Sequence, residues 1–60
     1  MHTYTFVRIR ALRSREGLTL ERDHREVIRE HATRGWVFTQ AIPFTSDPEP
    51  HWELVFVKGE

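Results

Sequence analysis

The chain has 60 residues, nine basic and nine acidic side chains, and no cysteine. This length allows one domain, and the neutral charge balance argues against nucleic acid as a partner. The absence of thiols excludes disulfides and favours a reducing, cytoplasmic setting. No secretory signal pattern and no membrane-spanning stretch is present, so we expect a cytoplasmic domain that does not bind membranes.

The charges are unevenly distributed although they sum to zero. Residues 1–15 carry four arginines and no acid, whereas residues 35–60 carry four acids against Lys58 alone. A basic first strand and an acidic last third are better suited to attract each other, within one chain or between chains, than to bind a polyanion.

The first segment, residues 3–12, alternates with a period of two and is rich in β-branched and aromatic residues, which predicts a strand. Its two faces would carry Thr5, Val7, Ile9 and Ala11 on one side, and Tyr4, Phe6, Arg8 and Arg10 on the other. The residues from Arg13 to Gly17 break this alternation and are predicted to form a loop.

A helix is predicted from about Leu20 to Arg34, with Thr19 as its N-cap and Gly35 as a left-handed stop. Its apolar stripe has helical spacing. The stripe consists of Leu20, Val27, Ile28 and Ala32, with His24 and His31 on the same side.

Two further strands are predicted, residues 36–44 and 51–58, joined by a connection of turn-forming residues. In the second strand one face would carry Trp36, Phe38 and Ile42, and the other Val37, Thr39 and Ala41. In the third strand one face would carry Trp52, Leu54 and Phe56, and the other Glu53, Val55 and Val57. Both tryptophans are therefore expected in the core.

These elements predict an α+β fold with β-α-β-β order, in which one helix packs on a three-stranded antiparallel sheet. Strand order 1-3-2 makes every pairing antiparallel, the split βαβ arrangement. Order 1-2-3 with one parallel pair is the alternative.

The stretch from Val27 to Phe38, which places a Gly35-Trp36 pair between a helix and a strand, resembles the "L-L-N-E-L-G-x-E-G-W-E-L" signature of the bacterial domain of unknown function family 4177. The opening Tyr4–Arg8 and closing Leu54–Lys58 are also similar to the outer strands of that family. His31, Ala32 and Val37 depart from the family pattern. The resemblance implies the β-α-β-β order and a bacterial source, and it implies no activity.

One helix can cover only one face of the predicted sheet, and the other face is half apolar. An apolar patch of several hundred Å² on a small protein usually marks an interface. We therefore expect a homo-oligomer, with a dimer as its simplest form, in which two sheet faces pack and Arg8 or Arg10 approaches Glu53 of the other chain. The expected interface comprises Tyr4, Phe6, Arg8, Arg10, Val37, Thr39, Ala41, Glu53, Val55 and Val57.

Other functions are weighed against this one. His24 and His31 lie about 10 Å apart along a helix, too far to share one ion, so no metal or other cofactor is expected. Glu30–His31 and Glu53–His51 could be imagined as acid–base pairs, but so small a domain has little room for an enclosed site, and no enzyme is predicted.

Two alternatives remain beside assembly. Tyr4 and Phe6 next to Arg8 and Arg10 are typical of platforms that bind single-stranded nucleic acid weakly, by base stacking and phosphate contacts. A small-ligand site at a seam between subunits is the third possibility.

Overall fold

The computed structural model describes residues 1–59; Glu60, counted among the acids above, lies outside them. The elements in chain order are β1 (Thr3–Ser14), β2 (Gly17–Leu20), α1 (His24–Ala32), β3 (Val37–Phe44) and β4 (His51–Lys58). The strands form one antiparallel sheet in the order β2-β1-β4-β3, which curls into a half-barrel.

The predicted fold class, a three-stranded sheet covered by a packed helix, is wrong because the fold is mostly sheet and has a fourth strand. The predicted loop is a tight turn in which Gly17 adopts a φ of +112°, a conformation that side chains disfavour. The chain then returns along β1, with Ala11 opposite Leu20 and Ser14 opposite Gly17. The three longer strands nevertheless lie in the order β1-β4-β3, all antiparallel, which agrees with the predicted 1-3-2 order.

The helix is shorter than predicted, because Leu20 ends β2 and residues 21–23 connect that strand to the helix. It begins at His24, and the N-cap is Asp23, whose Oδ1 accepts from the amide of Arg25 at 2.9 Å. Thr19, the predicted cap, lies in β2 instead. Gly35 has a φ of +88° just after the helix, so the predicted left-handed position is confirmed.

The core lies between α1 and the middle of the sheet. Ile9, Val27, Leu54 and Phe56 form its buried cluster, and Val7, Leu20, Ile28 and Trp36 pack around that cluster. Val27 is the buried residue that the helix contributes. The His31 ring stacks on Phe56 at 4.4 Å between centroids, and its Nδ1 lies 2.8 Å from the carbonyl oxygen of Val27. Because a carbonyl can only accept, His31 Nδ1 carries the proton.

The pairing of β3 with β4 contains an irregularity that changes which side chains reach each face. Phe38 is opposite Phe56, but the next paired residue is Gln40, opposite Val55, so Thr39 is an extra residue in the strand. Such a β-bulge reverses the alternation beyond it. Residues after Thr39 therefore face the side opposite to that predicted for a regular strand.

Candidate interaction surface

The side of the sheet turned away from α1 is called the open face. Ile9, Leu54 and Phe56 pack with Val27 of the helix, so the alternate positions of β1 and β4 lie on the open face. Cross-strand neighbours on that face are Tyr4 and Val57, Phe6 and Val55, Arg8 and Glu53, and Arg10 and His51. These eight positions are the seven residues predicted for the interface from β1 and β4, together with His51, which the prediction did not include.

The third strand contributes to the open face differently from the prediction. Val37 lies opposite Val57 and belongs to the open face as expected. Ala41 lies opposite Leu54 and lines a pocket on the helix side, so its predicted place on the face turned away from the helix is wrong. Thr39 occupies the bulge, where its hydroxyl donates to the Val55 carbonyl at 3.1 Å.

The bulge brings two apolar side chains of β3, Ile42 and Phe44, to the open face. Ile42 is opposite Glu53, and Phe44 is opposite His51 and stacks on its ring at 4.7 Å between centroids. Ile42 had been placed on the helix side, which the register corrects. A single extra residue in a strand leaves no signal in the period-two pattern, because Trp36 to Ile42 fits a regular strand equally well.

The largest exposed apolar groups of the open face lie near its β1 and β3 margins. Tyr4 is 58% exposed, and Phe6 and Val37 are each 61% exposed, whereas Val55 between them is buried. Val57, Ile42 and Phe44 are half-buried. The open face is therefore an apolar surface with a covered centre and exposed apolar margins, which is unusual for a face left in water.

The charged groups of the open face are not neutralised by ion pairs within the described chain. Within residues 1–59, the one ion pair under 4 Å joins Arg22 and Glu30 at 3.6 Å, and it lies on the polar surface. Arg8 and Glu53 are cross-strand neighbours without such contact, and Arg10 lies beside His51. Arg8, Arg10 and Glu53 thus lie next to the apolar groups of the open face and can form ion pairs with groups of another molecule.

His51 is the buried polar residue of this region, 5% exposed. Its Nδ1 donates to the carbonyl oxygen of Glu49 at 2.8 Å, because that oxygen can only accept, and its ring is covered by Phe44. These contacts hold His51 as part of the packing. It is a poor candidate for an acid–base partner of Glu53, since the ring is already engaged on one nitrogen and one face.

The other imagined acid–base pair is also separated by its contacts. Glu30 pairs with Arg22, while His31 stacks on Phe56 and donates to Val27. No group of three or more potential metal-ligating side chains lies together within residues 1–59. The one helix in this part of the chain is too short to cross a membrane.

A cavity of about 440 Å³ lies on the helix side of the sheet. It is lined by Leu20, His24, Ile28, Phe38, Ala41, Trp52 and Leu54. His24 is its single titratable group. A lone imidazole against apolar walls offers neither the paired groups of general acid–base catalysis nor the polar groups that orient a substrate.

Comparison with family models, with curated proteins and with solved structures finds no match to this chain.

Proposed function

We propose that the domain is a small, non-catalytic assembly module of the cytoplasm that forms homo-oligomers, in the simplest case dimers, by packing open face against open face. The observation that carries this proposal is the exposure of Tyr4, Phe6 and Val37 on one face of the sheet. Covering that face removes apolar surface from water, which is the dominant favourable term in protein association.

A second copy is the partner that the charges favour. Arg8 and Arg10 lie along β1 and Glu53 lies on β4, so a two-fold axis brings the arginines of each copy toward the carboxylate of the other. Two-fold interfaces use the same patch on both subunits, and this patch contains both signs of charge. A small domain without disulfides is also the kind that gains most from covering by a second subunit.

Sedimentation equilibrium at micromolar concentration tests the proposal. We expect the wild type to be larger than the 7.2 kDa monomer, and Glu53→Arg to have a lower mass than the wild type because arginines then face arginines in the open-face contact. The double variant Arg8→Glu/Glu53→Arg restores opposite charges across the axis and should recover association.

The matched control is Glu16→Arg, which makes the same change of charge in the exposed turn before β2. It should associate like the wild type. A wild type that sediments at 7.2 kDa throughout the micromolar range contradicts the proposal.

Weak binding of single-stranded nucleic acid is a second candidate function. Tyr4, Phe6, Arg8 and Arg10 share one face of β1, with both aromatic rings more than half exposed, an arrangement suited to base stacking beside phosphate contacts. Fluorescence anisotropy with a labelled single-stranded oligonucleotide tests it. Binding should weaken as salt rises and in Arg8→Ala/Arg10→Ala; anisotropy that does not respond to either change argues against this function.

A further inference from the structure

The first eight residues of β1 have a free edge. β2 pairs with β1 only from Ala11 to Ser14, so the segment Thr3–Arg10 has a strand partner on its β4 side alone within residues 1–59. Its pairing with β4 is regular throughout, without a bulge. Such an edge is a template for a further strand.

Hydrogen bonds at the end of this segment show which backbone groups face the free edge. The amide of Ala11 donates to Pro50 on the β4 side at 2.9 Å, and the carbonyl of Arg10 accepts from Glu21 on the β2 side at 2.8 Å. Backbone groups alternate in direction along a strand. The N–H and C=O groups of Tyr4, Phe6 and Arg8 therefore point to the free edge.

The β3 edge of the sheet is protected against pairing with a further strand, whereas the free edge of β1 is not. β3 carries the bulge at Thr39, and Pro43 has no amide to donate; bulges and prolines are devices that prevent pairing at sheet edges. The segment Thr3–Arg10 contains neither feature, and it consists mostly of residues with high strand propensity. Pairing with another chain is thus possible on one side of the sheet.

We infer that the free edge of β1 pairs antiparallel with the same edge of a second copy and joins two sheets into one. The register between the two copies follows from the backbone groups that are available on the free edge. Arg10 already uses its carbonyl for Glu21, so the open positions are Tyr4, Phe6 and Arg8, and their midpoint is Phe6. A symmetric pairing of this segment places Phe6 opposite Phe6, and Tyr4 opposite Arg8 of the second copy.

This register makes the side chains complementary. Phe6 meets an aromatic ring, and the Arg8 guanidinium lies beside the Tyr4 ring of the other copy, where cation–π attraction operates. A register displaced so that Arg8 faces Arg8 would place like charges directly opposite each other and is disfavoured. The second copy is therefore a better occupant of this edge than an arbitrary strand.

The edge contact is distinct from the open-face contact proposed above and does not depend on it. Its two-fold axis runs perpendicular to the sheet, whereas the axis of face-to-face packing lies parallel to the sheet. Edge pairing alone gives a dimer, and both contacts together give a closed tetramer of four times 7.2 kDa.

Amide hydrogen exchange measured by NMR at two protein concentrations tests the edge. We expect the amides of Tyr4, Phe6 and Arg8 to exchange at least tenfold more slowly at high concentration than at a dilution where the chain is monomeric. The amides of Thr5, Val7 and Ile9, which bond to β4, serve as internal controls and should be protected at both concentrations. Equal exchange of the first three amides at both concentrations would overturn the inference, even where sedimentation shows association by the open face.

A single-cysteine cross-link measures the register in a chain that has no other thiol. Paired by the edge, the two Cα atoms at position 6 lie about 5.5 Å apart, within the span of a disulfide. Packed by the face alone, they belong to sheets about 10 Å apart. Mild oxidation should therefore cross-link Phe6→Cys into a dimer.

The matched control is Val37→Cys, which is equally exposed but lies on the protected edge strand. It should remain largely uncross-linked while circular dichroism shows both variants folded. Failure of the folded Phe6→Cys variant to cross-link, or equal cross-linking of the two variants, rejects the edge pairing.

Discussion

Phe56 and Phe6 show how differently two phenylalanines in neighbouring strands can act. Phe56 is fully buried, stacks with His31 and meets the edge of Phe38 at 5.7 Å between centroids. Phe6 is 61% exposed on the open face. Composition alone does not distinguish them, whereas the sheet register assigns one to the core and the other to a surface.

Phe56→Ala is expected to unfold most of the protein. Removing a buried phenylalanine ring costs about 3 to 5 kcal/mol, and a domain of 60 residues has roughly 3 to 9 kcal/mol in total. Urea denaturation followed by tryptophan fluorescence measures the loss. Phe6→Ala is the control and should change monomer stability by no more than about 0.5 kcal/mol; an equal loss in both variants would contradict the core assignment.

The boundaries of α1 depend on which side chain caps it. Sequence patterns favour Thr19 because a threonine precedes a leucine and a glutamate, but in the structure that residue belongs to β2. The Asp23 carboxylate accepts a hydrogen bond from the amide of Arg25, which has no acceptor within the helix because it lies in the first turn. The chain thus reaches the helix one turn later than the pattern predicts.

Asp23→Ala should destabilise the protein by about 1 kcal/mol through loss of this cap. Thr19→Ala, at the cap position that the sequence suggested, should have less effect, since Thr19 is exposed and only its weak 3.5 Å contact with the Leu12 carbonyl is lost. Urea midpoints of the two variants decide between the positions. A larger loss in Thr19→Ala would indicate a helix that begins near Leu20.

Local patterns predicted the long strands well and the irregular elements badly. Alternation in β1 and β4 correctly divides their side chains between two faces, because each strand is regular over its paired length. The bulge at Thr39 and the short return strand β2 were missed. Both depend on pairing with a neighbouring strand, which is a tertiary contact and has no signature in four to eight residues.

The size of the molecule links its stability to its association. A chain of 60 residues buries a small core, here centred on Ile9, Val27, Leu54 and Phe56, and leaves the open face in water. The association proposed above would stabilise the folded state by mass action. Stability should consequently depend on protein concentration, which is not expected of a monomer.

The urea midpoint of the wild type should rise with protein concentration in the micromolar range. Each tenfold increase in protein concentration adds about 1.4 kcal/mol to the apparent free energy of unfolding of a dimer. Phe6→Arg should abolish this dependence, because it places a further cation in both the open face and the free edge of β1. Denaturation at three concentrations provides the measurement. A midpoint that is constant in the wild type would indicate that no association accompanies folding.

Alternation and helical spacing were sufficient to predict three long strands, one helix and a half-apolar second sheet face, because these periodicities are local properties of the chain. The fourth strand, the late start of the helix and the presence of Ile42 and Phe44 rather than Ala41 on the open face became visible only in the folded chain. Those features arise from hydrogen bonds between segments distant in the chain. The physical reason is that a strand's register, and hence the face of each side chain, is set by the partner with which it pairs.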